Sequence, residues 1–160
     1  MRKNAVLAVA LTLAVAFALL LPAGISYLRP AVKVKSTYVD TLLQLKDLAL
    51  EQGEYPVSAL ILYKDSILGS GFNTTRSQNT ALGHAEINAL QAVLDEMPYL
   101  EFRALDRDSL ILLTTYEPCI MCKGVLNHFD IRKVYYLEAK SPRYRWIYPR
   151  KDLSYYMRIR

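Results

Sequence analysis

The sequence predicts an α/β layered domain over residues 36–138, with a hydrophobic segment before it and a basic tail after it. Three observations lead there. Val39, Leu42, Leu43, Leu45, Leu48 and Leu50 recur at helical spacing, while the short runs 57–64 and 110–115 are almost wholly apolar, the mark of buried strands. Helical and strand patterns then alternate in the order α-β-β-α-β-α-β, as layered α/β domains require. With 160 residues, 52% hydrophobic and 22% charged, the chain is sized for one domain plus an appendage and is too apolar for intrinsic disorder. Two cysteines and two histidines exclude a disulfide scaffold and leave material for at most one metal site.

The first segment, 5–21, is seventeen residues long, is interrupted only by Thr12 and follows Arg2 and Lys3. That is the length of a minimal spanning helix or a long signal core. The small residues a signal peptidase needs are poorly matched at 21–24, which favours a retained anchor over 1–24 and a single N-terminal pass of the bacterial inner-membrane type. Cleavage would instead give an exported, periplasmic protein. Arg29, Lys33 and Lys35 in the basic linker 25–35 balance the charges ahead of the run, so the positive-inside rule does not fix the side of the domain.

The first helix of the domain is expected over 37–51, ending before Gly53. Pro56 precedes a β-hairpin with strands at 57–64 and 67–72 about Asp65-Ser66. A polar loop follows at 73–83. The next helix begins at His84, with Ile87, Leu90, Val93 and Leu94 on one face, and a charged loop over 101–108 leads to the strand at 110–115. Pro118 suits a helix N-terminus; that helix runs to His128, and 131–137 is the next strand. The arginines and aromatics at 143–148 suit a fifth strand or an irregular arm.

Net charge is unevenly placed. Residues 36–139 carry eight basic and fourteen acidic side chains, whereas 140–160 carry seven basic side chains against Asp152. The tail 139–160 interleaves its cations with Tyr144, Trp146, Tyr148, Tyr155 and Tyr156, a composition that suits nucleic acid, an anionic membrane surface or simple packing.

Two motifs carry chemistry: His84-Ala85-Glu86 and Pro118-Cys119-Ile120-Met121-Cys122, each at a helix start. One imidazole and two thiols make three protein ligands for zinc with a fourth position open, the pattern of a catalytic centre. Cys119 and Cys122 lie one turn apart where unpaired N–H groups and the helix dipole favour thiolate. If both helices bring their N-termini together on one side of the sheet, the three ligands converge and Glu86 reaches a water without ligating the metal. A redox pair or two buried thiols are the alternatives for the cysteines, and a cap or core role is the alternative for His84. From the chain's own counts a Pro-Cys-x-x-Cys has a chance expectation of about 0.001, so the pairing with an upstream His-x-Glu is specific.

HAEINAL at 84–90, TTYEPCIMCKGVLNHFDIRKVYY at 114–136 and GFN at 71–73 resemble the cytidine-deaminase-like superfamily, in its tRNA-specific adenosine deaminase and guanine deaminase branch. The resemblance covers 36–138. It implies a three-layer α/β/α sandwich with a central mixed sheet of four to five strands. It also implies zinc held by His84, Cys119 and Cys122, Glu86 as acid and base, substrate contacts from Asn73 and Ala85, and a homodimer. The implied reaction is hydrolytic deamination of a nucleobase, nucleoside or nucleotide, either a small molecule or RNA. Adenosine in tRNA is the nearest substrate; free guanine or a cytosine compound is the alternative. The Asp-Pro common just before the HAE of tRNA deaminases is absent, its place taken by Thr80-Ala81-Leu82-Gly83, and Lys123 stands where the branch favours a small residue. A membrane-tethered zinc module without turnover, or an exported thiol-redox protein, are readings from other classes.

Overall fold

The computed structural model describes residues 11, 12, 14, 15 and 34–140. The chain divides into two units, Met1–Val34 and Lys35–Arg160. In the first, Leu11, Thr12, Ala14 and Val15 are helical. The rest of the expected hydrophobic helix at 5–21, and the tail at 141–160 with its possible fifth strand, lie outside the described residues. No helix among the described residues is long and apolar enough to cross a membrane.

The second unit runs α1 (Ser36–Glu51), β1 (Ser58–Tyr63), β2 (Ser66–Phe72), α2 (Ala85–Glu96), α3 (Tyr99–Ala104), a 3-10 turn (Arg107–Ser109), β3 (Leu110–Tyr116), α4 (Ile120–His128) and β4 (Lys133–Glu138). The four strands lie in the order β2-β1-β3-β4. β1 pairs antiparallel with both neighbours, Ala59 facing Gly71 on β2 and Thr114 on β3, while β4 runs parallel to β3 with Leu112 beside Val134. A parallel neighbour requires a crossover, and α4 supplies it.

β1 is central and buried on both faces, which explains its unbroken apolar run. Ala59 and Ile61 share one core with Ala89, Leu90 and Val93 of α2 and Leu126 of α4. On the opposite face Leu60 and Leu62 are buried, and the Ser58 hydroxyl donates to the carbonyl of Leu42 in α1 at 2.6 Å. α1 therefore covers one face while α2 and α4 cover the other, the predicted α/β/α layering. After α1 the chain turns at Gly53, whose φ of +74° favours glycine; the N–H of Glu54 then bonds back to the carbonyl of Ala49. At Gly71 the seating of α2 on β2 leaves no room for a side chain, since a Cβ there would lie 2.6 Å from the Ala89 nitrogen.

The expected charged loop at 101–108 is instead α3 and the 3-10 turn. Phe102 is fully buried against Phe129, with ring centroids 6.0 Å apart, and the Arg107 guanidinium donates to the carbonyls of Phe102, Leu105 and Phe129. One buried aromatic ring and the inward-turned Arg107 hold a segment whose Glu101, Arg103, Asp106 and Asp108 are exposed. Pro118 lies ahead of α4, which starts at Ile120 with Cys119 as its N-cap.

Candidate metal centre

His84 and Cys119 are the N-caps of α2 and α4, and those two N-termini meet at the carboxyl end of β3. His84 Nδ1 lies 3.6 Å from Cys119 Sγ and 3.5 Å from Cys122 Sγ, and the two sulfurs are 3.5 Å apart. Tetrahedral zinc with bonds of about 2.0–2.1 Å to nitrogen and about 2.3 Å to sulfur sets neighbouring ligand atoms about 3.6–3.8 Å apart, so this triangle fits the ion closely. It is too wide for a disulfide. Among the described residues, this is the group of His, Cys, Asp and Glu side chains gathered closely enough to hold a metal.

The site is also electrostatically prepared. The hydrogen bond from the Cys122 thiol holds the Cys119 thiol down to about 5, against its own burial, with further help from the backbone N–H groups of Cys122 and Met121 and from His84. Cys122 is pushed the other way because it shares its proton with Cys119 and is buried beside Glu86. The first thiolate is thus available at neutral pH, and a cation would release the second proton. Glu86 is 4% exposed. Burial, joined by the Cys119 charge, pushes its carboxyl above the usual range, opposed by its own backbone N–H, Cys122 and His84. A carboxyl poised this way can both accept and return a proton.

A cavity of about 370 Å³ opens onto these groups, lined by Asn73, Thr75, His84, Glu86, Cys119 and Glu117 among others. Asn73 is 5% exposed, and its Oδ1 accepts from both the N–H and the hydroxyl of Thr75, so its Nδ2 hydrogens are what it can offer a ligand. Ala85 is fully buried as the first residue of α2 and does not line the cavity. Glu117 accepts from Lys123 Nζ at 2.9 Å and from the Lys140 N–H at 3.2 Å, which is the local hydrogen-bonding role its position before Pro118 suggests. His128 ends α4 with its ring against Phe129, away from the cavity.

Tyr55, Thr75 and Tyr116 also line the cavity, and sequence reasoning did not single them out. Pattern offers little to find them by. Tyr55 precedes β1, Tyr116 is the last residue of β3, and Thr75 sits in a polar loop like many others.

Residues 32–138 match the family described as the cytidine and deoxycytidylate deaminase zinc-binding region, and the chain belongs to that family. Within it, the chain is 36% identical over 94 residues to tRNA-specific adenosine deaminase 2 of Xenopus laevis, covering 58% of this chain and 54% of that protein. The same-named protein of Danio rerio is 34% identical over 114 residues, with 69% and 52% covered. The chain thus spans about half the length of these curated relatives, and 25% of the tRNA-specific adenosine deaminase subunit tad2 of Schizosaccharomyces pombe. Among solved structures, one from work on A-to-I editing by tRNA:A34 deaminases superposes with a TM-score of 0.58 at 26% identity, covering 66% of this chain and 77% of that one. Guanine deaminase from Bacillus subtilis gives 0.57 at 26%, with 67% and 66% covered.

Proposed function

We propose that this protein is a zinc-dependent hydrolytic deaminase of a nucleobase amine. The observation that carries it is Glu86, a buried carboxyl lining the same cavity as His84 and Cys119, two of the three converged zinc ligands. A structural zinc site has no use for such a group. His84, Cys119 and Cys122 would hold zinc, which when bound supplies the Lewis acidity that makes water nucleophilic near neutral pH. Glu86 accepts the proton of the attacking water at its carboxylate as the oxygen bonds to the amino-bearing ring carbon. It hands that proton to the adjacent ring nitrogen, then takes the remaining proton of the added hydroxyl and delivers it to the amine, so that the C–N bond breaks and ammonia leaves as the carbonyl forms. Asn73 donates from Nδ2 to an acceptor on the base or ribose, whereas Ala85, fully buried and off the cavity wall, serves as packing at the start of α2.

Adenosine in tRNA is the proposed substrate, supported by the tRNA-specific adenosine deaminases among the relatives; free guanine or a cytosine compound is the alternative. The purified, zinc-loaded protein should release ammonia from a tRNA anticodon stem-loop or from one of these smaller compounds. Absence of ammonia from all of them would leave the inactive zinc module as the better reading. The proposal extends to a homodimer, supported by the exposed Ile120, Tyr136 and Leu137, and to a membrane anchor at 1–24, supported by the apolar run behind Arg2 and Lys3. Sedimentation tests the first. Protease accessibility in spheroplasts tests the second and reports the side of the domain.

A further inference from the structure

The loop between β2 and α2 folds into a helical turn over 74–80, in which the N–H of Gln78 bonds to the carbonyl of Thr74 and that of Thr80 to Thr75. Such a turn leaves its first N–H groups without partners inside it. Two side chains take them. Asn73 Oδ1 accepts from Thr75, while the carboxylate of Glu54, reaching from the end of α1, accepts from Arg76 at 3.1 Å and from Ser77 at 2.6 Å. Glu54 is 3% exposed, and Arg76 fastens its flanks by donating to the carbonyl of Gly53 and stacking its guanidinium 4.2 Å from the Tyr55 ring centre. From the other side, Asn88 of α2 donates to the Phe72 carbonyl and the Thr74 hydroxyl.

One turn therefore joins a buried carboxylate outside the zinc ligand group to the amide that faces the cavity. We propose that Glu54 is a positioning residue for the substrate: by capping the 74–80 turn jointly with Asn73, it holds the Asn73 amide with Oδ1 turned to Thr75 and Nδ2 presented to the base. This rests on the deaminase reading above. Without the Glu54 cap the turn's N–H groups compete for Asn73 Oδ1, and the amide loses its fixed orientation. The cost then falls on substrate binding and not on zinc or Glu86, which are held by other elements.

In the full chain, Glu54→Gln keeps the size of the side chain but sets an amide N–H₂ against a backbone donor. Thr75→Val removes the hydroxyl that grips Asn73 Oδ1. Both should raise KM by about tenfold, the weight of one good hydrogen bond, with kcat changed less than about threefold and zinc content unchanged. Asn73→Ala should add little to KM in either background. A KM within twofold of wild type in both variants would overturn the proposal, as would a loss confined to kcat that tracks loss of zinc. Should both variants fail to fold, amide exchange in the wild-type protein decides. Slow exchange at Arg76 and Ser77 is expected, and exchange at the rate of open chain would sink the clamp. A wild-type protein that binds zinc yet releases no ammonia refutes the deaminase reading instead. Glu54 is then judged by equilibrium dialysis with adenosine and guanine, where a tenfold weaker Kd in Glu54→Gln is expected and an equal Kd would overturn it.

Discussion

Replacing Gly71 with alanine tests whether the seating of α2 sets the chemistry. The added Cβ would stand 2.6 Å from the Ala89 nitrogen, 2.8 Å from Asn88 Cβ and 2.9 Å from the Ala85 carbonyl oxygen. None of these is the end of a flexible side chain, so relief to an ordinary 3.4 Å contact requires α2 to move by about 0.8 Å. Overpacking of this kind costs about 1–3 kcal/mol, which in a domain of this size lowers Tm by roughly 5 to 20 °C. α2 has His84 as its N-cap and carries Glu86 in its first turn. A displacement of that size exceeds the tolerance of about 0.2 Å on a zinc–nitrogen distance, and misplacing a catalytic group by about 1 Å can cost about a hundredfold in rate. The assay is zinc content, thermal melting and ammonia release on one preparation of Gly71→Ala. Normal zinc, a Tm within one or two degrees and activity within twofold would refute the reasoning that a helix–strand contact positions the proton carrier.

Glu86→Gln should retain zinc by metal analysis while ammonia release falls by about 10² to 10⁴, the range for loss of a general acid and base. Cys122→Ser should release zinc on dialysis and lower Tm, since a site filled only in the folded state contributes its binding energy to folding; unchanged metal content would count against Cys122 as a ligand. Phe102→Ala, which empties a fully buried ring position, should cost about 3–5 kcal/mol in urea unfolding. Burial alone would raise the Glu54 carboxyl, but the N–H groups of Ser77 and Arg76 hold it below its ordinary 4.5. Its contribution is therefore complete above the unfolded value and disappears as pH falls through the lower folded one, so the stability gap between wild type and Glu54→Gln should be widest above pH 4.5 and narrow as the pH is lowered beyond it.

The elements that the sequence showed well are those whose burial pattern is periodic and long. α2 turns Ala85, Ala89, Leu90 and Val93 inward, and β1 is apolar from Ala59 on because helices cover both its faces, whereas the helical period of α1 marks the helix but not its buried face, which is Leu42 and Ala49 while Leu43, Leu48 and Leu50 are exposed. α3 was not visible for the opposite reason. It spans six residues held chiefly through Phe102, a single point of contact with no period to detect, and its Glu101 and Arg103 read as loop. The zinc ligands were legible because the chemistry fixes residue type and spacing together: Cys119 and Cys122 must share one helix start, and His84 must share its helix with Glu86.

Glu54 shows what such spacing leaves out. Nothing in Gly53-Glu54-Tyr55-Pro56 separates this carboxylate from the exposed acids around it, because its partners are the N–H groups of Arg76 and Ser77, which every residue but proline possesses. A side chain that recognises backbone leaves no signature at the position it recognises. Its role becomes visible once the fold sets α1's end beside the 74–80 turn, and that adjacency depends on Gly53 turning the chain and on β1 and β2 returning it. Residues that perform the reaction are constrained by their own chemistry and can be read in one dimension. Residues that hold them in place are constrained by where the chain returns, and so require three.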